Sequence, residues 1–147
     1  MNAVIDTNVW VSGLINRNGM PARVLDAYRD LRFTVVTSEP LLEELVEVLR
    51  RPKIVRKYGV TDEDVQALQE LLRRHAVFVP IHHTVRVCRD PDDNVVIETA
   101  ERGQAQFLVS GDADLWEAEE VQAYLRDQRI HVLNPKEFLD KIGIVGR

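Results

Sequence analysis

Acidic residues fall in this chain where a solvated turn explains one of them but not all. The opening "MNAVIDTNVW" runs an apolar stretch, Ala3-Val4-Ile5, into Asp6, with Thr7 and Asn8 directly behind. Far along the chain "QFLVSGDADLW" repeats the pattern, with Phe107-Leu108-Val109 running into Ser110, Gly111, Asp112 and Asp114. Asp is common in turns, and either acid alone fits that account. Two strands that end on acids suggest one shared site, because open parallel sheets bind ligands beyond the carboxyl ends of their strands.

Two helical stretches add acids by periodicity. Asp93 lies three, four and seven residues before Val96, Ile97 and Ala100, so it shares their inward face. In "LLEELVEVL", Glu44 falls three after Leu41 and four before Val48, at the margin of the apolar stripe. Glu43 and Glu47 fall further onto the polar side. Asp and Glu are seldom buried unless paired or bound to metal, so the competing reading is a salt bridge to a nearby Arg. If Asp6, Glu44, Asp93 and Asp112 converge, they need a cation. Two unit charges ~4 Å apart repel by about 4 kcal/mol at an effective dielectric of roughly 20. The sequence offers no cysteine cluster and no paired-histidine spacing for zinc, so an all-oxygen set points to Mg²⁺ or Mn²⁺. Such sites keep positions open to water and phosphate oxygens, which suits phosphodiester hydrolysis.

The elements that must position these residues are legible. Short apolar runs, "NAVI", "FTVV", "VFV", "QFLVS" and "IHVL", alternate with amphipathic stretches, which predicts an α/β fold with a mainly parallel sheet. Pro21 suits the first turn of "MPARVLDAYRDL". Ser38 is the expected cap of "EPLLEELVEVLRR", Thr61 with Asp64 forms an approximate capping box, and Asp92 is the expected cap of "DNVVIETAERGQ", with Gly103 near its end. A last helix, "PKEFLDKI", starts at Pro135 and stops at Gly143. No repeat or linker divides the 147 residues, so one domain over 1–147 is expected.

The totals exclude several classes. The apolar fraction of 45% and charged fraction of 29% are ordinary for a globular protein. No apolar run approaches the ~20 residues of a membrane span, and the N-terminus lacks the basic start of a signal peptide. A lone cysteine, Cys88, suits a reducing cytoplasm. The net charge of −5 argues against a generally basic nucleic-acid binder but leaves room for a local basic face. Arg50, Arg51, Lys53, Arg56 and Lys57 in "RRPKIVRK" are either a solvated run or a rail for an RNA backbone.

These blocks resemble the PIN domain, a small metal-dependent nuclease fold, and within it the VapC-like toxins of type II toxin–antitoxin pairs. "VIDTNVWVSGL", "SEPLLEELVEVLRRPK", "CRDPDDNVVIETA" and "FLVSGDADL" match its four blocks in order. The resemblance implies a three-layer α/β/α sandwich and a Mg²⁺-dependent endoribonuclease leaving a 5′-phosphate and a 3′-hydroxyl. It places metal ligands on Asp6, Asp93 and Asp112, with Asp114 as a further acid. Glu44 would orient or deprotonate the attacking water, and Asn8 and Ser110 would position water or a phosphate. It also implies an RNA substrate, a cognate antitoxin, a homodimer or higher oligomer, and a cytoplasmic protein with no membrane association. A PIN scaffold that binds RNA or protein without turnover is the alternative.

Other signals carry less. "DPDDN" has EF-hand spacing, but Val95 stands where the sharp turn needs Gly. His82 and His83 point to opposite sides of an extended segment and read as solvated loop residues. Trp10 and Trp116 read as core or interface, and Cys88 as an inert buried thiol. A Toprim-type set of Glu44, Asp112 and Asp114 would leave Asp6 and Asp93 unexplained. A haloacid-dehalogenase phosphatase would need an acid at Asn8.

Overall fold

In the computed structural model, which describes residues 1–112 and 116–144, strands and helices alternate. The order is β1 (Asn2–Ile5), α1 (Thr7–Ile15), α2 (Met20–Arg29), β2 (Thr34–Thr37), α3 (Glu39–Leu49), α4 (Pro52–Tyr58) and α5 (Asp62–His75). There follow β3 (Val77–Phe78), α6 (Pro91–Arg102), β4 (Phe107–Val109), α7 (Glu119–Asp127), β5 (His131–Leu133) and α8 (Pro135–Lys141). The five strands form one sheet in the order β3-β2-β1-β4-β5, and every pairing is parallel. The chain builds outward from β1 through β2 to β3, then crosses back to lay β4 on the other side of β1. That reversal makes the β1–β4 junction the switch point of the sheet.

Alternation along the strands fills two cores. Ala3, Ile5, Val35, Phe107 and Val109 face one side with buried residues of α1, α2, α3, α5 and α8. Val4, Val36 and Leu108 face the other, with α6 and α7. Parallel register aligns them, Ala3 beside Val35 and Phe107, Val4 beside Leu108. The result is an α/β/α sandwich. Trp10 and Trp116 both lie in the core, 4% and 1% exposed, so neither is offered to solvent.

Helix ends decide how the chain enters each strand. After α2, α6 and α7 the non-glycine residues Leu31, Gln104 and Arg129 adopt φ of 55°, 52° and 58°. The next amide then reaches back five residues, as from Arg32 to Ala27, Ala105 to Ala100 and Ile130 to Leu125. This left-handed exit satisfies terminal carbonyls and turns the chain straight into β2, β4 and β5. Gly103, just before the α6 exit, meets the sheet so closely that a Cβ there would stand 2.1 Å from Cγ1 of buried Val36.

Of the three expected caps one holds and two do not, and a further cap is found at the last helix. Thr61 and Asp64 form a reciprocal capping box on α5. Asn134 and Glu137 form another on α8, just ahead of Pro135. Ser38 occupies the N-cap position of α3 but its hydroxyl makes no cap bond. It lies 2.9 Å from the Thr99 hydroxyl of α6 instead. Thr99 gives its one proton to the Val95 carbonyl at 2.7 Å, so Ser38 is the donor of the pair. On α6 the cap is Asp90, not Asp92, because Pro91 fixes the first helical position and Asp90 accepts from the Asp92 amide. The "RRPKIVRK" run is also more ordered than expected, since Pro52–Tyr58 is helical and stops at Gly59 with φ 66°.

The segment between β3 and α6 is irregular, and α6 holds it by side chains. Asn94 Oδ1 accepts from the amides of Val87 and Cys88 at 3.0 and 2.7 Å. Glu98, 1% exposed, accepts from the amides of His82 and Thr84 at 2.6 and 2.9 Å and from Arg102 Nε at 3.0 Å. Burial works to raise the Glu98 pKa, but the His82 amide, Arg102 and the Thr84 amide outweigh it and hold the carboxyl below its ordinary value. A depressed acid stabilises the fold above its unfolded pKa and loses that contribution as pH falls through its folded pKa. We therefore expect Glu98→Ala to cost about 3 kcal/mol at neutral pH. In thermal unfolding of wild type and variant, the gap should narrow on acidification below the ordinary glutamate range.

Candidate active site at the carboxyl edge of the sheet

At the switch point the ladder extends past both strand ends. The Asp6 amide donates to the Val109 carbonyl at 2.9 Å, and the Ser110 amide to the Leu133 carbonyl at 3.0 Å. Asp6 and Ser110 therefore stand side by side on fixed backbone. The Ser110 hydroxyl donates to Asp6 Oδ2 at 3.0 Å and accepts from the Asp112 amide at 3.2 Å. Asp6 also caps α1, with Oδ1 accepting from the Thr7 amide at 2.9 Å.

Thr7 connects the first acid to the second. Its hydroxyl donates to Glu44 Oε2 at 3.1 Å, so one residue holds Asp6 by its amide and Glu44 by its side chain. Glu44 is half-buried while Glu43 and Glu47 are exposed, as the stripe on α3 requires. Among the described residues no Arg or Lys pairs with Glu44 or Asp93. The buried Ser38–Thr99 hydroxyl pair ties α3 to α6, the helix bearing Asp93.

Burial and neighbouring charge act together on these acids. Asp6 is pushed above the usual aspartate range mainly by burial; Ser110 and Thr7 pull it down, and Asp93 and Asp112 push it up. Glu44 is raised by burial first, against the Thr7 bond, then by Asp92 and Asp6. Asp93 is raised by burial, then by Asp90, Asp92 and Glu44. Each acid thus feels others from different elements. Asp112 lies exposed just beyond β4, and Asn8 is exposed on α1, its Oδ1 3.7 Å from where a Cβ on Gly111 would stand. Asp114 lies outside the described residues.

The donor chemistry fits a hard divalent cation, because every candidate ligand is a carboxylate oxygen and the repulsion among them is what such an ion relieves. Among the described residues, however, no three His, Cys, Asp or Glu are gathered closely enough to form a finished metal cage. Beside the acids lies a hollow of about 220 Å³ lined by Pro40, Leu41, Glu44, Glu47, Asp92 and Val95. A larger one, about 350 Å³, lies beside Trp116 and β5 with a mainly apolar wall. The chemistry favours the smaller.

Other sequence candidates are dispersed. Arg51 pairs with Glu47 at 3.1 Å and Arg50 comes within 4.0 Å of Asp62, while Lys53 and Arg56 are exposed on α4. Cys88 is half-buried rather than buried, with its thiol pushed up to about 11 by burial and then by Asp93 and Asp90. Sequence reasoning passed over Thr7, Asn94 and Glu98. The first had a signal, a hydroxyl directly after the strand-ending acid; the anchoring roles of the other two depend on contacts a linear pattern does not display.

Raised carboxyls bind protons more tightly folded than unfolded, so their site costs stability as pH rises through their titration. Asp93→Asn removes one half-buried charge and its repulsion on Asp6 and Glu44. In EDTA at neutral pH it should raise stability, seen as a higher melting temperature that converges with wild type in acid. A lower melting temperature would show Asp93 to be held by a private structural partner.

A PIN domain family model matches residues 2–114, which takes in all the blocks that carry the acids. The chain is also 34% identical over 143 residues to the uncharacterized protein MJ1680 of Methanocaldococcus jannaschii, covering 96% of this chain and 91% of that one. PIN domains are generally nucleases and generally use divalent metals. With four blocks in order, the parallel sandwich and the acids at its switch point, the chain belongs to the PIN-domain family.

Proposed function

We propose that this chain, as a single domain, is a Mg²⁺-dependent endoribonuclease, with Mn²⁺ as a substitute ion, and that it is the toxin of a toxin–antitoxin pair. The observation that supports this most is the bonding at the sheet's switch point, where Ser110 holds Asp6 and the Asp112 amide and Thr7 joins Asp6 to Glu44. Asp6, Asp93 and Asp112 would hold the ion, with Asp114 proposed as a further acid. A bound divalent ion supplies charge neutralisation at the scissile phosphate and acidifies water. The chain's own residues do the rest. Ser110 fixes the rotamer of Asp6, and Thr7 fixes that of Glu44. Glu44, with its pKa raised, is the group best suited to take a proton from the attacking water. Asn8, exposed beside Gly111, is proposed to orient a phosphate or water. The basic residues after α3 are proposed to follow the RNA backbone, and a cognate antitoxin is the proposed protein partner. Self-association into a homodimer is part of the same reading.

Cleavage of single-stranded and structured RNA in Mg²⁺, with and without EDTA, is the deciding assay. Asp6→Asn, Asp93→Asn and Asp112→Asn should each reduce it to background while circular dichroism stays native. Glu44→Gln should lower kcat by about 10²- to 10⁴-fold, whereas Glu43→Gln should stay close to wild type. Wild-type rates in any Asp variant would remove it from the site. Intact RNA binding without Mg²⁺-dependent cleavage would leave a binding scaffold.

The basic run has its own test. Replacing Arg51, Lys53 and Arg56 with Ala should weaken binding across RNA sequences and flatten the salt dependence by up to about 2 logarithmic units, at roughly 0.7 per lost phosphate contact. An unchanged slope returns these residues to a solvated helix face.

A further inference from the structure

A second hollow adjoins the acidic one across α6. Its volume is about 320 Å³, and His83, Val85, Arg86, Pro91, Val95 and Glu98 line it. Val95 lines both hollows, so the two share a wall. Their chemistry is opposite. The first carries Glu44, Glu47 and Asp92; the second carries a guanidinium and an imidazole. Glu98 is the acid of the second, and its oxygens are already committed to Arg102 and to the amides of His82, Thr84 and Val85. Arg86 is exposed and, among the described residues, makes no ion pair.

The backbone that carries these groups is held in place. His83 sits at φ 57°, a conformation that residues other than glycine seldom adopt. It is fixed there because the amides on either side of it, His82 and Thr84, both bond to the one Glu98 carboxylate. Val87 and Cys88, beyond Arg86, bond to Asn94. Strained backbone over-determined in this way is a feature of ligand sites. The anchors also sit on the helix that bears Asp93, so the distance from Arg86 to the acids is set by one rigid element.

We propose that the His83–Arg86 hollow is a phosphate subsite, receiving a backbone phosphate of the RNA next to the one at the acids. This rests on the ribonuclease reading. Arg86 provides the charged fork that matches phosphate oxygens, and His83, lining the same hollow, provides a ring N–H. The occupant is a polynucleotide rather than a mononucleotide, because the hollow adds nothing for a substrate with a single phosphate.

The test compares cleavage of a dinucleotide with cleavage of an oligoribonucleotide several residues long, for wild type, Arg86→Gln and Arg86→Lys. Arg86→Gln should raise KM for the oligonucleotide several-fold, leave its kcat unchanged and leave the dinucleotide reaction untouched. Arg86→Lys should recover part of the loss. The salt slope for binding the oligonucleotide in EDTA should fall by about 0.7, one single-strand phosphate contact. Equal losses on both substrates, or none on either, overturn the subsite. If wild type cleaves no RNA, the ribonuclease reading fails, and the EDTA binding slope alone then decides the subsite: unchanged between wild type and Arg86→Gln, it is overturned.

Discussion

The pairing of β1 with β4 is the constraint on which the rest of this molecule depends. These strands come from opposite halves of the chain, and only their parallel register, Ile5 beside Val109, brings Asp6 next to Ser110. The amide of Asp6 continues the ladder, so the acid's backbone has no freedom left. A one-residue slip would turn Ile5 and Val109 out of their core and carry Asp6 off the edge with them. The hydrophobic pattern therefore fixes the acid's position. Core packing and site geometry are one specification.

That arrangement sets two tendencies against each other. Burial and mutual repulsion make the acids poor contributors to folding, which the raised values at Asp6, Glu44 and Asp93 record. Stability comes from the two apolar layers and from polar groups that are fully satisfied, such as Glu98 and the Ser38–Thr99 pair. The satisfied groups lie directly behind the unsatisfied ones on the same helices. Thr99 is six residues along α6 from Asp93, and Ser38 six before Glu44. Polar bonding at the buried ends of α3 and α6 holds rigid what repulsion at the site would spread.

Much of this could be read from the chain before folding. Strands, helix faces and the capping box at Thr61 follow from local patterns, and so does the contrast between Glu44 and Glu43. The failures share a cause. Ser38 has every local mark of a cap, yet a hydroxyl 61 positions away takes it. Leu31, Gln104 and Arg129 end helices without the glycine that usually signals such an exit, because the following strand pairing compels the turn. Asp92 was a misread of a different kind, since Pro91 already marked Asp90 as the cap. Asn94 and Glu98 look like ordinary helix polars, and only the returning loop gives them partners. The approach of the acids was suggested by pattern and family resemblance, but which of them influence one another is a property of the folded edge.

The anchoring of residues 82–88 has a consequence for how the protein breathes. Its amides are collected by side chains of one helix and not by a strand, while Val85 in its middle is buried in the layer that covers Val4, Val36 and Leu108. Opening of the segment therefore exposes a core residue as well as freeing amides, so its cost is set by Val85 together with Asn94 and Glu98. Asn94 holds one end and Glu98 the other. The segment is thus pinned to one helix at three points, by Glu98, by Val85 and by Asn94, the last one residue from Asp93.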